Sequence, residues 1–197
     1  MILTAAIRVL ARDGIAATTT RKIAAEANVN QAMLGYYFGS KDELLCAVLQ
    51  ELMRQTAQIA LALRSGQPDV RVMIAESITA FWASVEREPA VQTMQLELTL
   101  YALRQSSSAW LAEQQYRGYG AVVEHLLREG CAAAGQDCAV PYDMLARFII
   151  GGLDGLILQF ITDHDRPRAR RDLQQLIAAT IALAEGAAMP TKKTLAD

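Results

Sequence analysis

Apolar residues recur at steps of three and four from one end of this 197-residue chain to the other. No run alternates apolar with polar as a half-buried strand would. That periodicity leaves the helix as the only regular element available, and it predicts an all-α fold of about nine helices with no internal repeat. Leu3, Ile7 and Leu10 make the first stripe, with Gly14 placed to end it as a left-handed C-terminal cap. A short second helix is expected after Thr18, Thr19 and Thr20, where a threonine can accept a bond from an unpaired amide, and it carries Ile23 and Ala24 to Asn28. Asn30 caps a third. The fourth opens on Ser40-Lys41-Asp42-Glu43, a capping box in which Ser40 and Glu43 satisfy each other's backbone donors, and continues through Leu44, Leu45, Val48, Leu49 and Leu52 to about Arg64. Breaks at 65–69, before Pro89, and at 104–108, 134–137 and 162–167 divide the remainder.

A hydrophobic content of 52% is ample for a packed core, so the chain reads as a folded, soluble protein. Its most apolar stretch, 148–161, reads as too short to span a bilayer and is interrupted by Asp154. With no charged-then-apolar leader, a cytoplasmic location without membrane attachment is expected. Three cysteines, Cys46, Cys131 and Cys138, are read as reduced thiols. Cys131, Cys138 and His125 lack the ligand spacing usual in zinc sites, so no metal or other cofactor is expected. Neither is catalysis: His125 and His164 lie near helix ends, and no glycine-rich phosphate loop or paired carboxylates stand out. Residues 1–55 carry six basic and five acidic side chains against thirteen and sixteen in 56–197, a weak polarity that permits nucleic-acid binding by the first part.

The third helix narrows the reading. Leu34 and Phe38 stand one turn apart and define its core side, which leaves Ala32, Met33, Gly35 and Tyr36 opposite. That face is small and flat near its start, with Gln31 at the edge. It suits insertion into a major groove, while Tyr36, Tyr37 and Lys41 can donate to phosphates. A helix ending at Asn28, a short turn and a second helix opening after Asn30 is the helix-turn-helix layout. The competing reading packs both tyrosines against the fourth helix.

Gly14, Thr18, Ile23-Ala24, Ala27, Val29, Leu34, Tyr37-Phe38, Ser40-Lys41 and Leu44-Leu45 together resemble the N-terminal domain of the tetracycline-repressor (TetR) family over about residues 2–50. The stretch TTTRKIAAEANVNQAML is similar to the tetracycline repressors themselves. The resemblance implies that Arg21 and Gln31 touch bases and that Thr20, Tyr36, Tyr37 and Lys41 hold phosphates. The full candidate set is Thr19, Thr20, Arg21, Gln31, Ala32, Met33, Gly35, Tyr36, Tyr37 and Lys41. Asn28, Asn30, Met33 and Gly35 depart from the usual family residues. Asn suits both the turn and the cap, whereas Met33 and Gly35 leave the operator sequence open.

The same resemblance implies a helix-turn-helix domain at 1–45 and a helical ligand-binding and dimerisation domain at 46–189, and a flexible tail is expected at 190–197. It also implies a homodimer on double-stranded DNA with a near-palindromic operator, released by a small-molecule effector of unknown identity. Activation, ligand-independent regulation, or a helical binding protein without DNA recognition are the alternatives. Gly151, Gly152 and Gly155, with Leu173, Ile177 and Ile181, are the expected dimer-interface residues, unless the glycines serve packing inside one chain. Trp82, Met94, Glu97, Tyr101, Trp110 and Tyr119 are the expected ligand contacts, because aromatic surface concentrates there and Glu97 interrupts an apolar helix. Asp154 could belong to the pocket, the dimer seam or the core.

Overall fold

The computed structural model describes residues 1–62 and 69–186. Among these residues the chain forms nine helices: α1 (Ile2–Ala17), α2 (Thr20–Ala27), α3 (Gln31–Phe38), α4 (Lys41–Ala62), α5 (Val70–Arg87), α6 (Pro89–Arg104), α7 (Ala109–Ala134), α8 (Tyr142–Asp163) and α9 (Arg166–Ala184). The expected tail at 190–197 and the break at 65–68 lie outside the described residues.

Side-chain chemistry sets the helix ends. Thr19 Oγ1 accepts from the Lys22 amide at 3.3 Å and Asn30 Oδ1 from the Ala32 amide at 2.9 Å. Asn28 closes α2 in the left-handed region at φ 53°, the conformation that Asn tolerates better than most residues. The capping box is half made: the Glu43 amide donates to Ser40 Oγ at 3.1 Å. Gly14 ends the first run of helical backbone with a positive φ, though not in the left-handed helical conformation expected of the cap, and one more turn follows it. At φ 72° and ψ 169° it kinks α1, which resumes to Ala17, and Thr18 Oγ1 donates back to the Gly14 carbonyl at 2.7 Å.

Two hydrophobic cores follow from this arrangement. The first gathers Val9, Leu10, Ile23, Leu34, Leu45 and Leu49 of α1–α4 around Met94, Leu98 and Ala102 of α6 and Leu111 of α7. The second joins α5, α7, α8 and α9 through Ile74, Trp82, Leu127, Leu153, Phe160 and Leu173. An ion pair pins its edge: Glu86 is buried, accepts from Trp82 Nε1 at 3.0 Å and accepts from Arg170 Nε and Nη2 at 2.8 and 2.5 Å. The Arg170 guanidinium holds the Glu86 carboxyl below its usual range.

Helix α8 is longer than the apolar stretch in the sequence suggests. Its 22 residues are long and apolar enough to cross a membrane by length and composition. Yet Leu145, Ala146, Ile149, Leu153, Ile157 and Phe160 form one buried stripe, as expected of a core helix. Gly152 makes its crossing with α9 possible, since a Cβ there would run into the Leu176 side chain.

Candidate DNA-binding face and effector cavity

Helices α2 and α3 present the expected DNA-contacting residues on one exposed surface. Thr19, Arg21, Gln31, Ala32, Met33 and Gly35 are exposed, while Leu34 is buried against the core beneath. Tyr36 and Tyr37 are 86% and 62% exposed, with rings edge to face and centroids 5.3 Å apart, so neither is packed away against α4. Gln31 Nε2 donates to Thr20 Oγ1 at 3.1 Å, joining a candidate base reader to a candidate phosphate contact. Lys41 is engaged inside the head: its Nζ donates to the Ile15 carbonyl at 2.9 Å, in the segment just past the Gly14 kink. That bond fastens α4 to α1 and leaves the ammonium two further donors.

The body contains a cavity of about 240 Å³ walled by α4, α5, α6, α7 and α8. It lies just below the usual size of small-molecule sites, roughly 300–1,000 Å³. The lining is largely apolar, including Leu52, Ile78, Leu153 and Ile157, with polar groups at Thr56, Ser77, Gln95, Tyr119 and Asp154. The Tyr119 hydroxyl accepts from Gln95 Nε2 at 2.7 Å and Gln115 Nε2 at 3.2 Å, and Gln115 in turn accepts from Thr99. Burial raises the Tyr119 pKa, keeping the phenol neutral. Burial pushes the Asp154 carboxyl above the ordinary range, an effect the neighbouring Tyr116 hydroxyl partly offsets.

Of the six expected ligand contacts, only Tyr119 lines this cavity. Trp82 and Met94 are core side chains. Glu97 is exposed on α6 beside Gly14, and Tyr101 donates to Asp42 Oδ1 at 2.7 Å, so both face the head. Trp110 is 53% exposed at the start of α7 and donates to the Ser107 carbonyl. The aromatic clustering misled because large rings mostly fill cores or cap helix ends. The better signal was a charge in the middle of the most apolar helix, Asp154, together with the small polar residues Thr56, Ser77 and Ser84 on otherwise apolar stripes.

The expected dimer residues divide likewise. Gly152 and Leu173 are spent inside the chain, and Ile177 and Ile181 pack against the second core. Gly151 and Gly155 are exposed, and a Cβ on either would meet nothing within 4 Å. They lie in a row with exposed Met144, Phe148 and Leu158 at alternating steps of four and three, a stripe of coiled-coil spacing that faces away from the cavity. Cys131 and Cys138 hold their sulfurs 3.3 Å apart as free thiols, and His125 pairs with Glu129 instead. Burial, with Cys131 adjacent, pushes the Cys138 thiol up to about 12.

A helix-turn-helix head on an all-helical body that holds a cavity is the architecture of a one-component DNA-binding regulator. Residues 2–48 match the family described as bacterial regulatory proteins, tetR family. The HTH-type nicotine-responsive transcriptional repressor HdnoR of Paenarthrobacter nicotinovorans is 30% identical over 178 residues, which cover 90% of this chain and 91% of the relative. The chain therefore belongs to the TetR family of transcriptional regulators. Among solved structures, a TetR transcription regulator from Haloarcula marismortui superimposes with TM-score 0.72 at 18% identity, over 93% of this chain and 94% of the other. The multidrug binding protein EbrR complexed with imidazole superimposes with TM-score 0.59 at 26% identity, over 97% and 90%.

Proposed function

We propose that this chain is a repressor that binds a near-palindromic operator as a two-fold dimer and is released when a small organic molecule occupies the cavity. The observation that carries this reading is the double role of α6. Gln92, Gln95 and Leu96 line the cavity, while Met94, Leu98 and Ala102 on the other side of the same helix belong to the core of the DNA-binding head. A ligand that displaces α6 must therefore strain the packing under α1 and α4, and in a dimer this alters the spacing of the two heads. Arg21 and Gln31 read bases, Ala32, Met33 and Gly35 fit the groove floor, and Thr19, Thr20, Tyr36, Tyr37 and Lys41 hold phosphates. The dimer forms across the α8 stripe of Met144, Phe148, Gly151, Gly155 and Leu158, joined by the outer face of α9. The nicotine response named for the 30%-identical relative supports a small organic signal.

The test is fluorescence anisotropy on DNA from immediately upstream of the gene, with and without nicotine and related heterocyclic amines. An effector should weaken operator binding about 5- to 150-fold, and operator DNA should weaken the effector by the same factor. A cavity-binding compound that leaves operator affinity unchanged would refute the coupling.

A further inference from the structure

Asp154 is the one ionisable group set among the apolar lining away from the cavity rim, counting the described residues and leaving the neutral Tyr119 phenol aside. The rim carries Arg87 and Glu88, both exposed and 3.7 Å apart, so its single cation already has a counter-charge. Asp154 forms no ion pair among the described residues. The Tyr116 hydroxyl is the neighbouring polar group that favours its charged form, a single donor for a carboxylate that offers about four acceptor sites. A carboxylate in apolar surroundings without a counter-charge is costly, and the cost is relieved when a cation arrives. Two aromatic rings stand beside it: Tyr119 lines the cavity, and Tyr116 meets it edge to face with centroids 6.3 Å apart. The Tyr119 ring is held in place by Gln95 and Gln115, and ring faces attract cations.

We propose that the cavity takes a small organic ammonium ion with an apolar body, and that Asp154 recognises its charge. This rests on reading the cavity as the effector site. The hydrocarbon part lies against Leu52, Ile78, Leu153 and Ile157, and the ammonium group lies against the Asp154 carboxylate and the Tyr119 ring. An anionic effector meets Asp154 with like charge, and a neutral one leaves the carboxylate without a counter-ion. The raised Asp154 pKa agrees with a site whose counter-charge is supplied by the ligand.

The test is calorimetric titration of the full chain at neutral pH with matched probe sets, headed by 1-benzylpyrrolidine, its neutral counterpart 1-benzoylpyrrolidine and the anion 4-phenylbutyrate. The cation of each set should bind about 10- to 100-fold more tightly than its neutral partner, the range expected for a hydrogen bond to a charged group. Asp154→Asn should remove most of that preference and leave the neutral probes nearly unchanged. The preference in the unaltered protein is decisive by itself, should the variant fold poorly. Neutral or anionic probes binding as tightly as the cations would overturn the proposal while leaving the cavity as an effector site, as would an undiminished preference in Asp154→Asn. If no probe of any charge binds, the reading of the cavity as the effector site fails, and this proposal fails with it.

Discussion

The head and the body of this protein carry their candidate functional side chains in opposite surroundings. Tyr36, Tyr37, Arg21 and Gln31 stand in water on a surface whose buried side carries Ile23, Ala24, Ala27 and Leu34, whereas Asp154 and Tyr119 line a cavity walled by five helices. In the head, candidate function and stability fall to different residues, except at Lys41, whose ammonium also holds the Ile15 carbonyl. In the body they fall to the same helices and partly to the same side chains, so a change there registers in both. The two regions nevertheless share a core through α6, and that contact is where the contrast can be attacked most directly.

Leu98→Ala should have the largest effect. Leu98 is fully buried between α6 and the head, and its truncation should cost about 2–5 kcal/mol in urea unfolding. Head and body should still unfold in one transition; two separate transitions would mean that they do not share a working core. The glycines of α8 come next. Gly152→Leu should destabilise the folded chain by about 1–3 kcal/mol, because it drives a side chain into Leu176. Gly155→Leu should leave the chain's fold intact and change its sedimentation instead. Equal effects on melting would remove the distinction between inner and outer faces of α8.

On the head, Arg21→Ala and Gln31→Ala should each relax base preference at one symmetric pair of operator positions by about 1–3 kcal/mol, with melting unchanged. Tyr37→Phe should weaken all sequences alike. Lys41→Ala should do the same and flatten the salt dependence by about one unit per lost phosphate contact. It should also lower the melting temperature, because the bond to the Ile15 carbonyl is lost. Competition with scrambled operators separates these outcomes, and altered base preference in Lys41→Ala alone would reverse the roles.

The smallest effect runs the other way. Burial raises the folded-state pKa of Asp154, so the ionised carboxylate costs stability above that pKa, and the cost disappears as pH falls below its unfolded value. Asp154→Asn should therefore raise the melting temperature of the ligand-free protein at neutral pH by roughly 2–4 °C, the shift about 1 kcal/mol produces at this size. The gain should shrink on acidification. A variant that melts lower at neutral pH would show that Asp154 stabilises the body rather than waiting for a ligand.

The same contrast explains how far the sequence could be read. Helix boundaries and the head were legible because their determinants are local. Thr19, Asn28, Asn30 and Ser40 act on backbone groups within a few residues, and an exposed Tyr36 can be assigned to a face from its spacing to Leu34 alone. The cavity was not legible, because a void is what remains after five helices have packed. Periodicity identifies the inward side of α6 or α7 without telling whether a neighbour fills the space, so Trp82 and Tyr119 look alike in the sequence and differ completely in place. Gly152 and Gly155 are likewise indistinguishable until the position of α9 is known.

The two faces of α6 also bear on how such a regulator changes over evolutionary time. Gln92, Gln95 and Leu96 alternate along one turn or so with Met94 and Leu98, yet the first set lines the cavity and the second packs in the core of the head. On the proposed coupling, substitutions at 92, 95 and 96 would alter what the cavity accepts while Met94, Leu98 and Ala102 on the other side stay as they are. A new chemical signal can thus be acquired by drift on one side of a single helix, without rebuilding the operator contacts or the route between them.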